Sequence, residues 1–325
     1  MGDVVCSLPA AGALKRAFPD CEITWLVDPR FAGIVERCRH VDRAVHVRLT
    51  PSPSSWPRLD GRFDAALDLQ GLFKSGLAIW RSSAARNLGF HWQREGSWLF
   101  SQRVMPDPSS FHVVDQIVDV ARAAGGVAHE ADFGLAQHPD DLARVAAKLA
   151  AAGLEGRFVA MNPCAGWRAK RWLPESFAAV IDGLAEEGVG SVLLGGPSEA
   201  DREIVREVVS RCGSKPVSMA GETTLEELIA LISLSSAHLG GDTGTTHIAA
   251  ALGKPAIGLY AATPLWRTCP YGQIERCHFD PDSLANICPE PVLETIREAL
   301  RAETRASTKD EARGGTAEKE PQANR

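Results

Sequence analysis

Gly240-Gly241-Asp242-Thr243-Gly244-Thr245-Thr246-His247-Ile248-Ala249-Ala250-Ala251-Leu252-Gly253-Lys254-Pro255 is the stretch that decides the fold. Ala237-His238-Leu239 ahead of it is short and apolar and reads as a strand end. Ile248 to Leu252 reads as a helical run of small apolar residues, closed by Gly253 and Pro255. The helix start between them offers unpaired N–H groups and a partial positive charge, which suit a phosphate. The hydroxyls of Thr243, Thr245 and Thr246 add donors, and Gly244 lets an anion approach the backbone. Asp242 or Thr243 would serve equally as a plain N-cap, so this segment alone leaves anion binding and simple capping open.

Working outward, strands and helices alternate, which implies an α/β architecture with mainly parallel sheets. The spacing predicts helices over Ala10–Phe18, Phe31–Cys38, Lys74–Arg81, Phe111–Ala124, Pro139–Ala152, Pro174–Glu187, Glu199–Cys212, Leu225–Ser235 and Pro291–Ala302. Strands are expected at Glu22–Val27, Arg43–Val47, Phe63–Leu69, Phe158–Met161, Ser191–Leu194 and Pro255–Tyr260. Thr223 or Thr224, with Glu226 or Glu227, gives the start of one helix a capping signature. Two such series suggest two nucleotide-binding-like domains, over residues 1–150 and 151–302, with a ligand in the cleft between them. Apolar content collapses from Glu303 to Arg325, so a disordered tail is expected there.

The chain has 325 residues, 45% hydrophobic and 23% charged, which is ample for a core in each domain. A net charge of −6 argues against nucleic acid as the main partner, although a local basic patch for an anionic head group stays open. No apolar run is long enough to span a membrane, and Asp3 interrupts any signal-peptide pattern. Eight scattered cysteines without CxxC spacing suit reduced thiols in the cytoplasm. Cys269, Cys277 and Cys288 with His278 offer a conceivable but disfavoured metal site, and no metal is expected. There is no GxGxxG after a first strand, which speaks against a nicotinamide dehydrogenase.

Four blocks in register carry a family resemblance. Asp242 to Pro255 resembles the donor-site motif of glycosyltransferase family 9, the bacterial heptosyltransferases. Gly2-Asp3-Val4-Val5 with Leu8-Pro9-Ala10 is similar to the family's N-terminal Gly-Asp turn, and Asn162 to Trp172 to its inter-domain donor loop. Asp68-Leu69-Gln70-Gly71-Leu72-Phe73-Lys74-Ser75 is similar to a block of lipopolysaccharide heptosyltransferase I. The resemblance covers Met1 to about Ala302 and implies a GT-B architecture, two Rossmann-like domains facing a cleft. It implies inverting transfer of heptose from ADP-heptose to Kdo of the lipopolysaccharide inner core, on Kdo-lipid A at the cytoplasmic face of the inner membrane, with no cofactor. A related transferase with another sugar or acceptor, and a non-catalytic nucleotide-sugar binder, remain as alternatives.

The resemblance also assigns roles. Asp3 becomes the base that takes the acceptor proton, though it also reads as a helix cap. Lys170 becomes the diphosphate clamp, or else a solvated lysine among Arg168 and Arg171. Thr243, Gly244 and Thr245 would hold the diphosphate, Asp242 the donor sugar and Glu199 the ribose, while His247 would donate to phosphate or sugar or simply pack. The chain departs from heptosyltransferase I at Ala165-Gly166, where no hydroxyl stands, and this puts the donor sugar in doubt. Gln70 and Lys74 are expected on the acceptor side, followed by a loop with Arg86, His91 and Arg94. Trp98, Leu99 and Phe100 read as packed, with membrane contact as the alternative. Relatives carry a strand ahead of the Gly-Asp turn, whereas Met1 comes immediately before it here. The expectation is an open slot in the first sheet, with Met1 as a misassigned start or, alternatively, a genuinely truncated domain.

Overall fold

The computed structural model describes residues 1–48, 50, 59, 61–167, 170–261 and 263–314, the side chains of 306–314 excepted. Arg168 and Ala169 of the donor loop, and residues 315–325 of the expected tail, lie outside the described residues. The first half runs α1 (Gly2–Ala17), β1 (Thr24–Val27), α2 (Ala32–Glu36), β2 (Arg43–His46), β3 (Ala65–Asp68), α3 (Phe73–Arg81), β4 (Arg86–Phe90), β5 (Gln102–Val104) and α4 (Val113–Ala123). Next come α5 (Pro139–Ala151), β6 (Phe158–Asn162), α6 (Pro174–Ala185), β7 (Gly190–Leu193), α7 (Glu199–Arg211), β8 (Val217–Ser218) and α8 (Leu225–Leu234). The chain closes with β9 (Ala237–Gly241), α9 (Gly244–Ala251), β10 (Ala256–Tyr260), α10 (Leu265–Thr268), β11 (Cys277–Phe279) and α11 (Pro289–Gly314).

The second half is a six-stranded parallel sheet in the order β11-β10-β9-β6-β7-β8. Its central strands β6, β9 and β10 are buried at every residue, as strands covered by helices on both faces must be. The chain leaves β6 towards β7 and β8, then returns to place β9 on the other side of β6. The crevice at that reversal, outside the carboxyl ends of the strands, is where such sheets bind ligands. Pairing of Asn162 with Gly240 brings the end of β6 beside the end of β9. The capping box of α8 forms as its sequence indicates: Thr224 Oγ1 accepts from the Glu227 backbone N–H, and a Glu227 carboxylate oxygen accepts from the Thr224 N–H.

The first half is a broken sheet. β1 pairs only with β2, and β3 with β4, which continues to β5. No strand lies between β1 and β3 among the described residues. A 570 Å³ cavity, bordered by Glu22–Asp28 and Ala65–Gln70, occupies that place. The open slot expected from the sequence is therefore present. Its consequence is visible in burial: only Val27 of β1 and only Asp68 of β3 are buried. The core persists because α1 packs on α4 and α9 through Val5, Leu8, Ala10 and Ala13. That cluster runs without interruption into the second half through Ile248 and Ala249.

Three local readings need correction. Helix α1 starts at Gly2 and not at Ala10, so the Gly-Asp segment is its first turn. Pro9 lacks the N–H that would bond the Val5 carbonyl, but one lost bond does not end a helix whose Val5 to Ala13 are all buried. Strands β4, β5, β8 and β11 were not legible, being short or half-polar. The closing helix packs on α6, β9 and β10, with Arg297 paired to Glu187, and its backbone continues through residues 303–314, where a disordered tail was expected.

The slot leaves strand amides without ladder partners. Hydrogen exchange is expected to be at least about 100-fold faster at the slot-facing amides of β1 and β3 than in β6 and β9. Equal protection, read by exchange mass spectrometry, would mean that the slot is closed in solution.

Candidate active site

At the end of β9 the backbone turns through Asp242 and Thr243, and α9 begins at Gly244. Thr243 occupies the N-cap position, yet its side chain makes no capping bond. Its Oγ1 instead lies 3.0 Å from Thr245 Oγ1, and Asn162 Nδ2 donates to Thr245 Oγ1 at 2.9 Å. Plain capping therefore does not explain these threonines. The first turn of α9 has no side-chain cap, and the hydroxyls of Thr243 and Thr245 lie beside it. Thr246 is different: its hydroxyl turns back to the Gly241 carbonyl at 2.7 Å and fixes the turn.

Lys170 reaches this site from the loop after β6. Its Nζ donates to Asp242 Oδ2 at 2.7 Å, and His247 Nε2 lies 3.6 Å from Asp242 Oδ1. One carboxylate is thus flanked by two nitrogen donors. Burial works to raise the Asp242 pKa, but hydrogen bonds from His247 and Lys170 outweigh it and hold the carboxyl below its usual range. For His247, burial works to lower the pKa, but Cys6 and Asp242 outweigh it and push the imidazole up to about 10. The ring is therefore a cation at neutral pH. His238, buried on β9 beneath it, is driven down to about 3 by burial and by the neighbouring His247, and is neutral. The site holds two cations, one anion, two hydroxyls and a helix N-terminus, which together can receive a diphosphate and hydroxyl groups.

Glu199 stands apart from this group. It opens α7 on the same rim of the sheet but is exposed and paired to Arg206 and Arg202. The other sequence-derived donor residues, Lys170, Asp242, Thr243, Gly244, Thr245 and His247, converge.

In the first half, Asp3 in the first turn of α1 lines the cavity together with Gln70 and Lys74. The Asp3 carboxylate makes no hydrogen bond to the described residues. Gln70 and Gly71 form a turn held by Asp68, whose Oδ1 accepts from both backbone N–H groups at 3.1 and 2.9 Å. Gly71 has φ +71°, and a Cβ there would meet the Trp92 carbonyl oxygen at 2.5 Å. Only glycine fits, and the Arg94 N–H bonds the Gly71 carbonyl at 2.7 Å. The block Asp68–Ser75 thereby seats the 92–94 loop at the cleft. Trp92 receives Arg94 and, from the second half, Arg267, whose guanidinium sits 5.0 Å from the ring centroid. Arg267, Arg94 and Arg30 line the cavity with Lys74. Arg267 and Arg30 escaped the sequence reading, because nothing local marks a side chain that reaches a cavity from a single helical turn. Arg86 binds the Ala123 carbonyl and is structural.

The halves meet where two helix starts touch. A Cβ on Gly2 would lie 3.1 Å from the His247 ring, and one on Gly244 would run into the Met1 side chain. The sequence profile of glycosyltransferase family 9 (heptosyltransferase) matches residues 54–284. The chain belongs to glycosyltransferase family 9. It is 30% identical to the lipopolysaccharide core heptosyltransferase OpsX of Haemophilus influenzae over 85% of this chain and 80% of that protein. Its fold matches a family 9 transferase from Veillonella parvula with TM-score 0.81, at 19% identity over 93% of this chain and 94% of that one. It also matches the Escherichia coli heptosyltransferase WaaC with ADP, with TM-score 0.74, at 21% identity over 92% and 97% of the two chains. This family 9 enzyme thus has the GT-B architecture and is a glycosyltransferase of lipopolysaccharide core biosynthesis.

The Lys170–Asp242 pair divides donor recognition into two measurable parts. Lys170→Ala should weaken ADP binding by about 10- to 100-fold, the range expected for a charged hydrogen bond. Asp242→Asn should leave ADP binding within about threefold and act on the sugar-bearing donor instead. Calorimetric titration of ADP into both variants checks this; equal losses would show that Asp242 acts only by holding Lys170.

Proposed function

We propose that this enzyme transfers heptose from ADP-heptose to Kdo of inner-core lipopolysaccharide with inversion at the anomeric carbon. The observation that carries the reading is the contact of the first turn of α1, which bears Asp3, with the start of α9, where Lys170, Asp242, Thr243, Thr245 and His247 gather: a Cβ on Gly2 would lie 3.1 Å from the His247 ring. The Escherichia coli protein with the same fold holds ADP, which supports an adenine nucleotide donor. The diphosphate lies over the start of α9, with Lys170, His247 and the two threonines donating to its oxygens. Lys170 exchanges Asp242 for phosphate, and Asp242 is released to accept from the sugar hydroxyls. Asp3 takes the proton of the acceptor hydroxyl as the new C–O bond forms on one face of the anomeric carbon. The bond to the diphosphate breaks on the other face, and ADP leaves against the two cations.

The acceptor wall favours an anion. Arg30, Lys74, Arg94 and Arg267 surround the cavity that holds Asp3, which suits the carboxylate of Kdo and nearby phosphates. Asp3→Asn should bind ADP normally and release ADP from ADP-heptose in the presence of Kdo-lipid A at least about 100-fold more slowly. Unchanged turnover would remove Asp3 from the chemistry. Turnover only with a different nucleotide sugar, which Ala165-Gly166 leaves room for, would overturn the donor assignment.

The outer side of the acceptor wall supports delivery of the acceptor from a membrane surface. Trp98 and Leu99 are 55% and 72% exposed, contrary to the packing expected of them. Phe100 packs between Phe73 and Trp80, with ring centroids 5.3 and 6.3 Å away, and both of those rings are themselves largely exposed. Lys74 and Arg81 flank these rings on α3. Among the described residues no helix is long and apolar enough to cross a membrane, so this patch would act as a surface contact. Replacing Trp98 and Leu99 together by Ala should weaken co-sedimentation with anionic vesicles by about tenfold or more, from lost apolar burial. Transfer to a delipidated Kdo acceptor should stay unchanged. Equal vesicle binding would exclude the patch.

A further inference from the structure

We propose that Cys6 is a positioning residue of the donor site: its thiol, carried by the acceptor half, fixes the His247 ring so that the docking of α1 on α9 completes the charge offered to the diphosphate. This rests on the donor role given to His247 above.

The geometry is a line of three groups from three elements. Cys6 Sγ on α1 lies 3.7 Å from His247 Nδ1 on α9, and His247 Nε2 lies 3.6 Å from Asp242 Oδ1 at the end of β9. An imidazolium has a donor on each nitrogen, and here each meets an acceptor outside its own helix. Cys6 and His247 are both buried, at 4% and 8% exposure, so water does not readily replace either contact. Gly2 clears the space that lets α1 come this close, since a Cβ there would press on the ring at 3.1 Å.

The surrounding groups make Cys6 decisive. From α1, the Met1 amino group also feels Cys6, and its own charge is disfavoured by burial. From β9, His238 faces the ring; from the start of α4, His112 does. Both are driven towards neutrality, first by burial. Lys170 reaches the ring only through Asp242. Tyr260 on β10 and Arg267 on α10 feel Cys6 but make no bond to the ring. Among the described residues, only Cys6 and Asp242 favour a proton on His247 against burial. Asp242 is due to be shared with the donor sugar, which leaves Cys6 as the contact that persists while donor is bound. Without it the Nδ1 proton would be buried with no acceptor. The ring would lose that proton or turn, and the diphosphate would lose a charge-assisted donor.

The test uses ADP as the probe, titrated between pH 6 and 9 into the unaltered chain, Cys6→Ala and Cys6→Ser. His247 is followed by its ring resonances without ligand, assigned by loss in His247→Gln. The unaltered chain should bind ADP with little pH dependence and show no His247 midpoint below pH 9. Cys6→Ala should bind nearly as well at pH 6 but about tenfold more weakly at pH 8.5, with the His247 midpoint brought into the titrated range. Cys6→Ser, which keeps an acceptor, should recover most of the affinity. If Cys6→Ala does not fold, Cys6→Val, which keeps the volume but not the acceptor, takes its place: a lowered His247 midpoint carries the proposal, and an unchanged midpoint overturns it. Weakening by the same factor at every pH, or no weakening, overturns it as well. Failure of the unaltered chain to bind ADP would instead sink the donor-site reading, and the ring titration would then decide the Cys6 contact by itself.

Discussion

The contact of α1 with α9 is the constraint on which the site depends. Each helix presents its N-terminus, so two partial positive charges approach one another, a repulsive arrangement in isolation. Apolar packing of Val5, Leu8, Ile248 and Ala249 offsets the repulsion. Gly2 and Gly244 let the backbones approach where a Cβ on either would meet the other helix's partners. Asp3 and Asp242 supply negative charge on the two sides. The proposed base and the proposed leaving-group site belong to different halves, and this contact sets the distance between them. A geometry that is electrostatically costly when empty becomes favourable when a diphosphate lies at the junction.

The empty site is not idle. Lys170 and His247 are both paired with Asp242, so the two cations are partly neutralised by a residue to which the proposed mechanism gives a second use. The ion pair is partly buried, with one third of the Lys170 side chain exposed. Such a pair keeps the lysine in the orientation it needs while allowing exchange for a phosphate oxygen. In the proposed exchange each partner would gain a replacement in the same step, Lys170 a phosphate oxygen and Asp242 the sugar hydroxyls, which would keep its cost low.

Much of this was legible in the sequence. The donor turn was readable because its chemistry is local: a strand, Asp-Thr-Gly-Thr-Thr-His and a helix lie within a few residues, and register with Asn162 follows from parallel pairing. The long helices were readable from apolar spacing, as in Val113–Ala123 and Leu225–Leu234. The start of α1 was not, because Gly2, Ser7 and Pro9 are poor helix formers that only burial makes helical. Strands β4 and β5 were not, because their exposed residues interrupt any alternation. Arg267 and Cys6 were not, because their roles arise from contacts more than 170 residues away in sequence that no local pattern encodes.

The charge distribution joins these observations to the proposed substrate pair. The chain as a whole is acidic, at −6, yet the cavity wall gathers Arg30, Lys74, Arg94 and Arg267. Net charge governs long-range behaviour and discourages polyanions such as nucleic acid, while a cleft with low-dielectric walls focuses the field of the few cations that line it. For Arg267, burial disfavours the charge and prevails, with the fields of Asp3 and Cys6 acting against it. The same guanidinium stacks on Trp92, which belongs to the other half. An anionic acceptor entering beside Trp92 would therefore meet a cation whose charge the first half, through the field of Asp3 and the face of Trp92, helps to hold. Under the proposed mechanism, acceptor recognition then depends on the same meeting of the two halves that places Asp3, because the guanidinium comes from one half and its aromatic seat from the other.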